Sequence, residues 1–312
     1  MSSIEMDVTT VAEGLRFPEG PIAMPDGSVL VVEIAERCLT RVGPDGSVDR
    51  LVDCGGGPNG AAIGPDGAVY LCNNGEAFGF GELAGFTIPG DPPPSWRPGS
   101  IQRVDLETKE VTTLYTHCDG TELRAPNDLV FDGHGGFYFT DFGIRRGRSA
   151  DITGIYYASA DGSSIREVVF PLDSPNGVGL SPDGSRLYVA ETYSGRLWSW
   201  AVSGPGEVAS HPGLHAGGEL LYAAPGVTMF DSLAVDGEGW VCVGTLGLGV
   251  SGITAVSPDG SQVELHHIPS DPLITNICFG GEGHRTAWIT ASGSGRLLRS
   301  EWPRAGLRLP HT

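Results

Sequence analysis

The chain has 312 residues, is 40% hydrophobic and carries a formal net charge of −19. That apolar content supports a buried core and argues against disorder, while the acidity would repel phosphate backbones and anionic membranes, so neither nucleic acid nor a membrane is an expected partner. No stretch reaches the roughly 18 apolar residues of a membrane span, and the first ten residues lack the basic start and apolar run of a secretory leader, so a cytoplasmic setting is expected.

In chain order, residues 6–15 read as a strand. Six copies of one phrase then follow. They are Phe17-Pro18-Glu19-Gly20, Gly57-Pro58-Asn59-Gly60, Ala125-Pro126-Asn127-Asp128, Ser174-Pro175-Asn176-Gly177, Met229-Phe230-Asp231-Ser232 and Ile274-Thr275-Asn276-Ile277. In each, a short polar acceptor (Glu, Asn or Asp) precedes four or five mostly apolar residues and then a turn such as Pro25-Asp26-Gly27 or Pro182-Asp183-Gly184. Asp-Gly between apolar runs signals a hairpin, because Gly takes positive φ without steric cost. A second strand follows each turn, at 29–32, 69–72, 137–140, 187–190, 240–244 and 287–290. Further strand pairs follow, for example 100–105 with 111–115 and 154–158 with 166–170. No convincing amphipathic helix interrupts them.

Four strands per repeat and six repeats predict an all-β fold, a six-bladed β-propeller in a single domain over 1–312. The last repeat ends after three strands near Trp302, so the N-terminal strand is expected to complete the sixth blade and close the ring. The cysteines (Cys38, Cys54, Cys72, Cys118, Cys242, Cys278) form no CxxC or zinc-like spacing. They read mostly as small buried filler in a reducing compartment.

Strand direction alternates within a blade, so all six acceptors share one end of the channel with the loops that follow each second strand. The long insertion 74–99 lies at that end and carries Phe78, Phe80, Phe86, Pro92, Pro93, Pro94 and Trp96. Read as a loop without regular structure, it is a candidate lid over an apolar part of a ligand. The loop 142–152 at the same end carries Arg145, Arg146 and Arg148, which could meet a substrate carboxylate or simply be solvated. The acceptors Glu19, Asn127, Asn176 and Asp231 are all oxygen donors, which select a hard cation; a ring of ordered water is the simpler alternative.

These phrases, together with Tyr188-Val189-Ala190-Glu191-Thr192, Arg196-Leu197-Trp198, the run Asp231-Ser232-Leu233-Ala234-Val235-Asp236 and Phe279-Gly280-Gly281, resemble the senescence-marker-protein/gluconolactonase/luciferin-regenerating-enzyme family. The resemblance extends from about Leu15 to Trp302. It implies a six-bladed propeller with a divalent metal ion in the channel, calcium first and Mg²⁺, Mn²⁺ or Zn²⁺ as alternatives. It implies hydrolysis of a small molecule, most often a lactone and in some relatives an organophosphate. Carried over by motif, the metal ligands are Glu19, Asn127, Asn176 and Asp231. The family's Arg-x-Asn-Asp pattern is spaced differently here, as Arg124-Ala125-Pro126-Asn127-Asp128.

The leading expectation is a metal-dependent lactonase in which the cation polarises the carbonyl. Asp231 would be the catalytic residue, as general base or as nucleophile. Asn59, Arg124 and Asn276 are the substrate-binding candidates; Asn59 could equally be a turn former before Gly. Asp128, Asp141 and Glu191 are the alternative proton acceptors. The rivals are a phosphotriesterase-like hydrolase using the same cage and a non-catalytic binding propeller. No G-x-S-x-G supports a serine triad.

Overall fold

The structure is a computed structural model that describes residues 2–211 and 213–312; Met1 and Pro212, which belong to the N-terminal reading and to the single-domain span, lie outside the described residues. Six sheets, antiparallel apart from one parallel strand added to blade 5, are arranged as blades around one axis. The innermost strands are Pro18–Ala23, Pro58–Ile63, Pro126–Phe131, Pro175–Leu180, Met229–Val235 and Ile274–Gly280. Each pairs with the strand that returns from its turn: Val29–Glu33, Val69–Asn73, Gly136–Asp141, Arg186–Glu191, Val241–Leu246 and Thr286–Ala291. Helix among the described residues is confined to three short 3-10 turns, Ile34–Glu36, Leu214–Gly217 and Glu282–His284.

The return strands are the most apolar segments, and they are buried throughout in blades 1 and 2. Outer strands face solvent more, as in Val48–Asp53, where four of six residues are exposed. Each gap between neighbouring blades is filled by its own apolar cluster. Tyr70, Ile101, Phe137 and Phe139 pack between blades 2 and 3, Val189, Trp198 and Trp200 between 3 and 4, and Val29, Val31, Trp288 and Leu297 between 6 and 1. The core is therefore a ring of six wedges, and at one end of the axis the inner strands present polar groups.

The ring closes as the sequence implied. Thr9–Ala12 adds to Arg296–Glu301 as the outer strand of blade 6. A second closure strand was not legible in the sequence: Ser2–Glu5 runs parallel to Val263–His267 as a fifth strand of blade 5. Exposed along its whole length, it has no apolar alternation to reveal it. The insertion 74–99 also differs from the expected irregular loop. It contains a hairpin, Gly79–Leu83 with Phe86–Gly90, whose turn Ala84-Gly85 has both residues at positive φ.

Candidate functional site

Two local devices aim the acceptors at the axis. The first is a bulge. In all six blades the register between inner and return strand slips at or just beside the acceptor, and a bulge re-aims the side chain it carries. The residue that follows is often Gly because the inner strands nearly touch there. A Cβ on Gly60 would lie 2.5 Å from the Asp128 Cα, and one on Gly177 2.5 Å from the Leu233 nitrogen.

The second device is a latch at the end of the return strand, where a buried polar side chain accepts backbone N–H groups from the loop that leads into the inner strand. Glu33 accepts from Arg16 (2.7 Å), Asn73 from Gly57 (2.9 Å) and Glu191 from Asp173 (3.2 Å). Asp141 accepts from both Arg124 and Ala125 (2.7 Å each). Asp141 and Glu191 are thereby committed to holding the loops, which leaves Asp128 as the alternative proton acceptor with its carboxylate at the axis.

Around the axis stand three carboxylates, Glu19, Asp128 and Asp231. Burial is the main cause that pushes all three above the usual carboxylate range, and repulsion from Glu19 adds to it for both Asp128, pushed up to about 8, and Asp231. Glu19 Oε2 accepts from the Gly20 N–H (2.8 Å) and from Asn276 Nδ2 (2.7 Å), whereas its Oε1 is buried with no hydrogen-bond partner. Asn127 Oδ1 is buried and unpartnered as well. Asn176 donates from Nδ2 to Thr192 (3.0 Å), and its Oδ1 receives only a long contact from Ser232 (3.3 Å). Buried oxygens are rarely left without a donor. Acceptor-only oxygens facing like-charged neighbours are what a cation would satisfy, and all the donors are hard. The four expected ligands therefore fit a divalent ion. No group of three or more His, Cys, Asp or Glu suited to a metal occurs among the described residues, so any such site depends on the two amide oxygens.

Five of the six acceptors are buried; Asp231 alone is only partly so. The acceptor most open to an incoming molecule is thus the one assigned the chemistry. Asn59 makes no side-chain hydrogen bond among the described residues, which leaves its amide available. Asn276 is turned differently from a substrate group: it donates to Glu19 and accepts from the Ile277 N–H (2.7 Å), so it orients a ligand candidate. The Arg124 guanidinium is held by Asp151 (2.9 Å) and lies over the Trp96 ring, 4.6 Å from its centroid.

The hairpin insertion reaches over this end. Phe80 packs on Phe17 (centroids 5.0 Å), two residues before Glu19, and the Thr87 N–H donates to Gly293 O of blade 6 (2.7 Å). On the other side Phe78 meets Phe142 (5.7 Å), and Trp96 carries Arg146 (5.0 Å) as well as Arg124. Sequence reasoning missed Tyr193. Its ring lies under the Arg145 guanidinium (4.3 Å) and against Phe142 (5.9 Å). Tyr193 is half-exposed. Desolvation is the main cause that raises its phenol pKa, Arg145 opposes the shift, and the charges of Asp231, Asp173 and Asp91 add to it. The only signal was its place two residues beyond Glu191, in the loop after a return strand.

Fold and site together define a class: six-bladed propellers whose axis presents oxygen donors at one mouth beneath a side loop. Over residues 17–293 the sequence matches the SMP-30/Gluconolactonase/LRE-like region, and the chain belongs to that family. It is 26% identical over 315 residues to a gluconolactonase of Zymomonas mobilis, covering 92% of this chain and 80% of that protein. It is 27% identical over 240 residues to the lactonase drp35 of Staphylococcus aureus, covering 76% of this chain and 64% of that protein, so it spans under two thirds of that relative's length. Among solved structures it shares its fold with regucalcin, a calcium-binding protein of Agrobacterium tumefaciens (TM-score 0.70, 16% identity, 99% of this chain and 100% of that one).

Proposed function

We propose that this chain is a lactonase that opens its substrate at the acceptor end of the channel, with a divalent cation, calcium in the first place, held by Glu19, Asn127, Asn176 and Asp231. The observation that carries this reading is the pair of buried, unpartnered oxygens on Glu19 and Asn127 beside mutually repelling carboxylates. The relatives named as a gluconolactonase and a lactonase support the reaction, and the calcium-binding neighbour supports the ion.

When bound, the cation supplies Lewis-acid polarisation of the lactone carbonyl. The chain's own residues do the rest. Asp231, the most open acceptor, takes the proton of the water whose oxygen bonds to the carbonyl carbon, and returns it to the alkoxide oxygen released as the ring C–O bond breaks. In the alternative its carboxylate attacks that carbon, the ring C–O bond breaks, the released oxygen takes up a proton, and water then hydrolyses the acyl-Asp231 anhydride. Asn276 and the Gly20 N–H fix the Glu19 carboxylate, leaving Oε1 for the ion. Asn59 offers its amide to the water or to a substrate oxygen. Tyr193, a protonated phenol at neutral pH, can donate to an oxygen of the substrate, and its ring with Phe142, Phe78 and Trp96 forms the wall against which an apolar part would pack. The lid hairpin limits water access. All six cysteines are free and five are buried, which suits a reducing, cytoplasmic setting.

The test is a panel of aromatic, aliphatic and sugar lactones run beside a panel of phosphotriesters on the calcium-supplemented chain. Lactone turnover that exceeds phosphotriester turnover supports the proposal. The reverse order assigns the same cage to phosphotriesters, and no hydrolysis with metal bound would leave a binding propeller.

A further inference from the structure

The opposite mouth of the channel has its own architecture. A cavity of about 530 Å³ lies there, bounded by the lower halves of all six inner strands and lined by Ile63, Val130, Leu180, Val235, Phe279 and Trp288 among others. Its floor is the C-terminal tail. Arg304 anchors the tail through Asp236 (2.6 Å) and Glu264 (3.0 Å), with its guanidinium over Trp240 (4.0 Å). The Leu307 N–H donates to Val235 O (3.3 Å) in blade 5. Farther on, His311 stands edge-on to Phe131 (5.5 Å) in blade 3. The tail thus straps the mouth from one side to the other.

At its inner end the cavity stops at a waist. There Asp128 lies against Gly60 of blade 2 and accepts the Val178 N–H of blade 4 (3.4 Å). The lining at this waist includes Gly20, Asp128 and Asn276, so the inner end of an occupant would lie directly beneath the acceptors.

The polar groups of the cavity are unevenly matched. Arg304 is neutralised by two carboxylates, whereas Arg308, which lines the cavity, has no carboxylate partner among the described residues. It faces His284, whose Nδ1 is buried without a hydrogen-bond partner. Glu282, the acidic group at this mouth, forms no ion pair with either among the described residues. A largely apolar pocket of this size with a few convergent polar groups is the usual form of a small-ligand site. An unneutralised guanidinium beside a free imidazole nitrogen selects an anionic head.

We infer that this mouth is a second binding site, for a small amphiphilic carboxylate whose chain fills the cavity and whose head meets Arg308 and His284. Its mouth opens at the end of the channel opposite the hydrolytic one. The test uses octanoate and octanol, titrated calorimetrically into the purified full chain and into Arg308→Glu, a substitution at an exposed position. One octanoate should bind per chain, weakened about tenfold or more in R308E, the size expected for loss of a charge-assisted contact. Octanol should bind both proteins alike. Octanoate should leave the KM of a lactone substrate unchanged. Absence of octanoate binding, equal affinity in R308E, or competition between octanoate and the lactone would each overturn the inference.

Discussion

At the scale of single residues, Asp231 and Glu19 have separable duties. Asp231→Asn keeps one oxygen for the ion and loses the carboxylate needed for proton transfer or attack. Turnover should fall by about 10²–10⁴ even where calcium occupancy is shown to be full; near-normal turnover at full occupancy would reduce Asp231 to a ligand and move attention to Asp128. Asn276→Ala removes one of the two donors that fix Glu19 Oε2. Calcium affinity should fall on the order of tenfold, while kcat at saturating calcium stays within a small factor, as calorimetry and steady-state kinetics would show. The acceptors themselves were legible in the sequence because each recurs at one place in a repeat. The duty of Asn276 was not, since a neighbour's rotamer decides which way an amide turns, and Tyr193 was hidden because the matching loop of blade 6, Ala291-Ser292-Gly293-Ser294-Gly295, carries Gly293 at that place, so no repeated aromatic marks it.

At the scale of elements, the latches tie down the loops that lead into the inner strands of four blades, 1 to 4. Asp141 accepts three backbone N–H groups, from Arg124, Ala125 and Gly143. Asp141→Ala would strand these donors in a buried site, where each unmet group costs about 1–3 kcal/mol. A loss of about 3–5 kcal/mol is expected in denaturant titration. The lid rests on aromatic contacts. Phe80→Ala should raise the KM of an aromatic lactone on the order of tenfold, equivalent to about 1.4 kcal/mol, with the melting temperature nearly unchanged. Equal effects on every substrate, or none, would argue against a lid that contacts the ligand. From the sequence the insertion's place and aromatic content could be read. Its hairpin could not, because its turn, Ala84-Gly85, lacks the Asn-Gly or Asp-Gly signal.

At the scale of the whole molecule, blade count and order were written in the repeat, since a propeller builds one wedge of core from each copy. Both ends of the chain escaped that logic. Ser2–Glu5 adds to blade 5 through backbone pairing alone, and the C-terminal strap follows the last recognisable strand. The axial carboxylates also give the molecule a pH signature. Glu19, Asp128 and Asp231 have pKa values above their unfolded values in the metal-free chain, so the folded form holds protons that the unfolded form has released. Stability is then greatest below the ordinary carboxylate range, near pH 4, and is lost as pH rises toward about 8, where Asp128 titrates. The melting temperature of chelator-treated protein should therefore fall between pH 5 and pH 8, and saturating calcium should remove most of that fall; a flat profile would contradict the mutual repulsion. The central claim is that lactone hydrolysis depends on one cation held by the axial oxygens. Its most direct test returns calcium stepwise to the chelator-treated chain and measures bound calcium and lactone turnover on the same samples. Turnover that rises in proportion to occupancy and saturates at one calcium per chain is the predicted result, and full turnover in the metal-free chain would contradict it.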